Sequence, residues 1–228
     1  MEPIYSVDGC QVFAVAENIW KQNAFFIVDT SRSSCIAIDP GYGVEAFLNN
    51  LKKQNIIVER IIATHTHFDH IAGVSEVQKI FNAPFLCHEE DLKILAQANI
   101  YTMFLKSGKV ELPIPSAHLT PQIKIQFGGV QIEVIHVPGH TPGGCILVFM
   151  GTIFSGDTLL RDFGKLHKLP GSDPYLLAAS RERIFRKLPP ETVVFPGHGR
   201  MTTLASLARS LDSKQDCELA TSGPRLYE

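Results

Sequence analysis

Residues 60–70 read Arg60-Ile61-Ile62-Ala63-Thr64-His65-Thr66-His67-Phe68-Asp69-His70, a short apolar run that ends in a cluster of polar side chains. The apolar part has the length and composition of a buried strand. The polar part is His-x-His-x-Asp-His, three imidazoles and a carboxylate within six positions. Imidazole nitrogen and carboxylate oxygen are the donors that suit Zn²⁺, Mn²⁺ and Fe²⁺. A strand end holds such groups more rigidly than a free loop, and catalytic geometry tolerates little error. A solvated polar turn, the alternative, does not account for the small and apolar residues interleaved with the histidines.

Working outward, three more candidate ligands stand in glycine-rich turns, each near the end of an apolar run. They are His140 in Pro138-Gly139-His140-Thr141-Pro142-Gly143, Asp157 in Ser155-Gly156-Asp157-Thr158, and His198 in Pro196-Gly197-His198-Gly199. Glycine beside each one permits a tight turn and close approach of the backbone. Any one of them alone reads more simply as a turn residue. Together with His65, His67, Asp69 and His70 they make a set of seven.

The surrounding chain alternates strands and helices. Gln11–Ala16, Ala24–Asp29 and Cys35–Ile38 read as strands, the last closed by the turn Asp39-Pro40-Gly41. Val44, Phe47, Leu48 and Leu51 recur at helical spacing, which predicts an amphipathic helix over Val44–Gln54. Arg60–Ala63 is the next strand, followed by a helix near Gly73–Phe81, a strand Phe85–Cys87 and a helix starting near Glu89. The stretch Asn99–His118, with Gly108, Pro113 and Pro115, reads as an irregular connection or lid.

The second half repeats the scheme. Ile123–Phe127 and Gln131–His136 flank Gly128-Gly129 as a hairpin, and Cys145–Met150 and Thr152–Phe154 pair across Gly151. Asp173–Leu188 is expected to be a helix, Thr192–Phe195 a closing strand, and a final helix is expected near Thr202–Asp212. Strands then helices, twice over, fit two β-sheets packed face to face with helices outside. The expected class is α+β, an αββα sandwich, as a single domain over residues 1–228.

Composition narrows the function. The chain has 228 residues, 45% hydrophobic and 19% charged, enough apolar material for a substantial core. A net charge of −2 offers no basic footprint, so no nucleic-acid partner is expected. No basic segment leads into an apolar run at the start, and no apolar stretch approaches the roughly 20 residues of a membrane span. The expectation is a cytoplasmic protein without membrane association. Its five cysteines, odd in number and without CxxC spacing, read as reduced thiols, and Cys145 reads as a core residue rather than a nucleophile.

In these motifs the chain resembles the metallo-β-lactamase superfamily, and within it the small glyoxalase II-like (hydroxyacylglutathione hydrolase-like) hydrolases. The resemblance runs from Asp39-Pro40-Gly41 through Thr64–His70, Gly139–Gly143 and Gly156-Asp157 to Pro196–Gly199. It implies two divalent metal ions, zinc first, with iron or manganese open because these ligands accept all three. His65, His67 and His140 would hold one ion and Asp69, His70 and His198 the other, with Asp157 bridging. Asp69 and Asp157 are the carboxylates on which catalysis would depend. The nucleophile implied is a hydroxide between the ions, since coordination lowers the pKa of water from about 15.7 to near 7. Asp39 would orient a ligand imidazole from behind, with Thr64 and Thr141 in similar roles. His88, His118, His136 and His167 match no motif and are not expected to be ligands.

The substrate expected is a small-molecule thioester or ester. A thiolate leaves without strong acid assistance, its thiol pKa being about 8.5, and the sequence offers no obvious acid beyond the ligands. Glyoxalase II proper carries a C-terminal helical domain with basic residues for glutathione, which is not expected after His198 here. The loop Leu160-Arg161-Asp162-Phe163-Gly164-Lys165-Leu166-His167-Lys168 also departs from the Gly-Arg pair of many small relatives. An iron-dependent persulfide (sulfur) dioxygenase using His65, His140 and Asp157, or a lactonase, is the alternative within the same superfamily.

Overall fold

Alternate residues of β3 (Ala24–Asp29) decide the layering. Successive strand side chains point to opposite faces, and here every residue of the strand is buried. Phe26 and Val28 join a cluster with Phe47, Leu48 and Leu51 of α1 (Glu45–Lys53) and Val74 and Val77 of α3 (Val74–Phe81). Phe25 and Ile27 face the other way and meet Val134, Leu147, Phe154 and Phe195 of a second sheet. Each such fully buried side chain contributes on the order of 1.5–3 kcal/mol.

The computed structural model describes residues 2–160 and 171–210. Within them the first sheet runs β1 (Tyr5–Val7), β2 (Cys10–Val15), β3, β4 (Ser34–Ile38), β5 (Ile57–Ile62), β6 (Phe85–Cys87) and β7 (Ala117–His118), in spatial order as in sequence. Its first four strands are antiparallel meanders. From β4 onward the pairs are parallel, with α1, then α2 (Phe68–Ile71) and α3, then α4 (Leu92–Phe104) as crossovers.

The second sheet has the order β13-β12-β11-β10-β9-β8, from β8 (Ile125–Phe127), β9 (Val130–His136), β10 (Cys145–Phe149), β11 (Thr152–Gly156), β12 (Val193–Pro196) and β13 (Thr202–Thr203). Its outer face packs Ile135, Ile146, Ile153 and Val194 against Ile184 of α5 (Pro174–Lys187) and Leu204 and Leu207 of a helix at 204–210. Phe25 bridges the two sheets, with ring centroids 5.3 Å from Phe154 and 5.5 Å from Phe195. Two sheets with helices on both outer faces are the αββα arrangement the sequence predicts.

Two local expectations need correction. The stretch Asn99–His118 is not irregular throughout, because α4 continues to Phe104. Leu95, Ala98 and Thr102 keep one face of that helix buried, and this outweighs the polar residues between them. Strand β5 starts at Ile57, ahead of the charged pair Glu59 and Arg60, because it pairs in parallel with β4 from its first residue. The edge strand β1 carries too little apolar periodicity to be read from sequence. Residues 161–170, with Arg161, Lys165, His167 and Lys168, and residues 211–228, with Cys217, lie outside the described residues. Among the described residues no helix is long and apolar enough to cross a membrane.

Candidate metal centre

Ladder hydrogen bonds carry β5 to the brink of the site. The Ala63 N–H donates to the Leu86 carbonyl at 2.9 Å, and the Asp39 N–H to the Ile62 carbonyl at 2.9 Å. Asp39 sits in the left-handed region at φ 49°, which a non-glycine residue seldom adopts, although aspartate tolerates it better than most. That backbone turns its carboxylate inward. Oδ1 accepts the Thr64 N–H at 2.6 Å, and Oδ2 accepts the Thr64 hydroxyl at 2.6 Å and the His70 Nδ1–H at 2.9 Å. The Thr64 hydroxyl has one proton and gives it to Asp39, so its oxygen accepts the His65 Nδ1–H at 3.2 Å. Both rings are thereby fixed with Nε2 facing forward.

The second sheet brings its own residues to the same place. His140 lies in the β9–β10 turn, Asp157 just beyond β11, and His198 just beyond β12. The two sheets are stitched there by the Cys145 N–H donating to the Thr64 carbonyl at 2.7 Å. Two glycines are required by close approach. A Cβ on Gly156, at φ 47°, would lie 2.3 Å from Thr64 Oγ1, and one on Gly197 would lie 2.2 Å from Asp157 Oδ1. His198 is aimed by its Nδ1–H, which donates to the Trp20 carbonyl at 3.2 Å.

All seven residues singled out in the sequence converge. His65, His67 and His140 each place a donor atom within 4.8 Å of the others, and so do Asp69, His70 and His198. Asp157 lies between the two trios. Its Oδ1 is 3.5 Å from His70 Nε2, and its Oδ2 is 3.5 Å from His140 Nε2 and 3.7 Å from His198 Nε2. Asp69 Oδ2 is 3.3 Å from His198 Nε2. Six of the seven are buried, and the His198 side chain, 28% exposed, marks the opening.

The electrostatics divide the set. Burial first, then the neighbouring imidazoles, lowers His65 well below the usual histidine value and pushes His140 down to about 3, so both rings are neutral at pH 7. Burial also works against charge on His70 and His198, but the carboxylates outweigh it. Asp39, Asp69 and Asp157 raise His70, and Asp157 and Asp69 raise His198. Burial opposes ionisation of Asp69 and Asp157 too, yet the imidazoles around them hold both below the ordinary carboxylate range.

These residues fit two divalent cations. His65 Nε2 is buried with no hydrogen-bond partner, and His70 Nε2 and Asp157 Oδ1, facing each other across 3.5 Å, make no closer bond. A buried polar atom left so costs on the order of 1–3 kcal/mol, and such atoms converging in one place call for a ligand. His67 Nδ1 and His140 Nε2 lie 2.9 Å apart, a spacing that needs a shared proton or a cation beside both.

Sequence reading missed two supports. Asp91, fully buried, accepts the Thr66 N–H at 3.0 Å, the Thr141 hydroxyl at 3.0 Å and the Gly143 N–H at 2.6 Å. It ties the loop of His65 and His67 to the loop of His140. Thr141 therefore serves Asp91 and not a ligand ring directly. Asp91 stands in the acidic run Glu89-Glu90-Asp91, which reads as a solvated helix start. The available signal was its helical spacing from Ile94, Leu95 and Ala98, all buried. Asn23 likewise clamps the His198 turn, its Nδ2 donating to the Pro196 and Gly199 carbonyls at 2.9 and 2.8 Å.

A four-layer αββα fold with histidines and aspartates gathered where both sheets end defines a metal-binding protein of known architecture. The chain belongs to the metallo-β-lactamase superfamily, whose family model matches residues 18–198. It is similar to the probable metallo-hydrolase YqgX of Bacillus subtilis (strain 168), with 28% identity over 79% of this chain and 86% of that one. Among solved structures it resembles TTHA1623 in a di-iron-bound form, at 33% identity and TM-score 0.75, covering 87% of this chain and 98% of that one. It also resembles the BLEG-1 B3 metallo-β-lactamase, at 28% identity and TM-score 0.78, covering 89% and 97%.

Proposed function

We propose that this chain is a hydrolase working with two divalent cations, with His65, His67 and His140 as ligands of one, Asp69, His70 and His198 of the other, and Asp157 shared. The observation that carries it is the position of Asp157, one oxygen toward His70 and the other toward His140 and His198. A carboxylate has two oxygens and one charge, which suits it to join two cations and reduce their repulsion. The relatives named a metallo-hydrolase and a di-iron form agree with that reading.

Bound cations would supply a water whose pKa is lowered to near 7 and a Lewis acid for a carbonyl oxygen. The chain's own residues prepare the place. Asp39 and Thr64 fix the tautomers of His70 and His65, and the Trp20 carbonyl fixes that of His198. Burial of the remaining ligands excludes bulk water and strengthens every charge interaction within. Substrate approaches from the side of His198, where the site opens.

The substrate class we favour is a thioester, as in glyoxalase II-like hydrolases, because a thiolate departs without a dedicated acid. The test is elemental analysis followed by assay of thioesters, lactones and a β-lactam under matched metal, with oxygen uptake on glutathione persulfide as a further arm. Asp157→Ala should abolish hydrolysis and bind fewer than two equivalents. Full turnover with full metal content in that variant would refute the shared carboxylate, and oxygen consumption without hydrolysis would refute the hydrolase.

A further inference from the structure

Beyond the seven residues, a second cluster gathers at the ends of β6 and β9. We propose that His88, Glu90 and His136 form a third cation site, separate from the centre, for a transition metal such as Zn²⁺, Ni²⁺ or Cu²⁺. One donor atom from each lies within 4.8 Å of the other two. The two imidazoles stack at a centroid distance of 4.2 Å and an interplanar angle of 9°, and Glu90 Oε2 is 3.8 Å from His136 Nε2.

Two imidazoles and one carboxylate are a donor set of intermediate softness, which favours these ions over Mg²⁺ and Ca²⁺. His88 is fixed in place, being 8% exposed with its Nδ1 accepting the Glu90 N–H at 3.3 Å. The His136 Nε2–H donates to the Pro142 carbonyl at 2.8 Å, a contact of the kind that orients a ligating imidazole through its other nitrogen. The His136 bond leaves Nδ1 as a free donor, whereas the His88 bond occupies the Nδ1 lone pair and places the ring proton on Nε2, so His88 would ligate by exchanging the Glu90 N–H for the ion at Nδ1 or by moving its proton to Nδ1. Burial first, then the nearby His136, lowers the pKa of His88, so that ring is neutral at pH 7. Closing onto an ion at about 2.0–2.2 Å requires His136 to tilt out of the stack and Glu90 to rotate. Side-chain exposures of 27% and 52% allow both movements. None of the three is among the seven residues of the centre.

The probe is Zn²⁺ alone, titrated into the metal-free full chain by equilibrium dialysis while ¹⁵N-histidine spectra follow the ring nitrogens. Wild type is expected to bind one equivalent more than the centre around Asp157, with His88 and His136 resonances moving in that last step. Glu90→Gln, on an exposed side chain, and His136→Gln should each lose that equivalent and keep the rest. Asp157→Ala should lose metal from the centre while the His88 and His136 resonances still respond, so the two sites fail independently. No response of those resonances in wild type, or an extra equivalent that survives in both Glu90→Gln and His136→Gln, overturns the proposal.

Discussion

The carboxylate of Asp39 and the imidazole of His70 meet at 2.9 Å, the first 2% and the second 0% exposed. Removing a partner of this kind from behind a ligand typically weakens metal binding about 10–100-fold. Asp39→Ala is expected to do so and also to strain the backbone, because alanine tolerates φ 49° poorly. Asp39→Asn keeps the tolerated backbone and isolates the lost charge. Competition with a chelator measures both variants, and unchanged affinity in Asp39→Ala would remove the orienting role.

Acid and base should act oppositely on the metal-free and metal-loaded protein. The pKa values of His70 and His198 are raised in the folded chain. Their stabilisation is therefore fully present below the ordinary histidine value of about 6.5 and is lost as pH rises through the raised values. Asp69 and Asp157 are lowered, so their contribution persists until strong acid. The melting temperature of the metal-free protein should fall as pH climbs above about 6.5. With metal present the slope should reverse, because cation and proton compete for the same rings. Parallel slopes in thermal scans of the two forms would contradict this.

Asp91→Ala should cost about 3 kcal/mol or more, since it strands the Thr66 N–H, the Gly143 N–H and the Thr141 hydroxyl in the interior. It should also loosen the His65–His67–His140 trio. Denaturant titration and metal stoichiometry read the two effects separately. A loss below about 1 kcal/mol would show that those donors find other partners.

Gly197→Ala places a methyl group 2.2 Å from Asp157 Oδ1 and 2.7 Å from His70 Cε1. The carboxylate has to move, and at least one equivalent of metal should be lost while circular dichroism stays near wild type. Full metal content would mean that the β12 turn shifts instead.

Cys145→Ser should keep turnover within about threefold at a stability cost of about 1–3 kcal/mol. The thiol is 1% exposed, and burial, the largest of several effects, pushes its pKa far above the ordinary thiol range, so it is not a nucleophile at neutral pH. Loss of turnover in a folded variant would reopen a thiol mechanism.

The site was more legible in the sequence than its supports. His65 to His70 stand together after an apolar run, and His140, Asp157 and His198 each sit among glycines, so local pattern was enough to find them. Asp91 and Asn23 act through long-range contacts, the latter across 173 residues to Pro196, and no local spacing encodes such partners. The sheets were readable where strands are buried on one or both faces, as in Ala24–Asp29. The short edge strand β1 was not, because its burial alternates only between partial and exposed. The end of α4 was obscured because Ile100, Met103 and Phe104 are apolar yet exposed, which blurs the helical stripe.

The bond from the Cys145 N–H to the Thr64 carbonyl marks a seam. Four of the seven proposed ligands belong to one side of it and three to the other, and each ion of the proposed pair would draw on both. A cation there would act as a rivet driven only after the halves have met. Its affinity and the cooperativity of folding would then be two readings of one quantity.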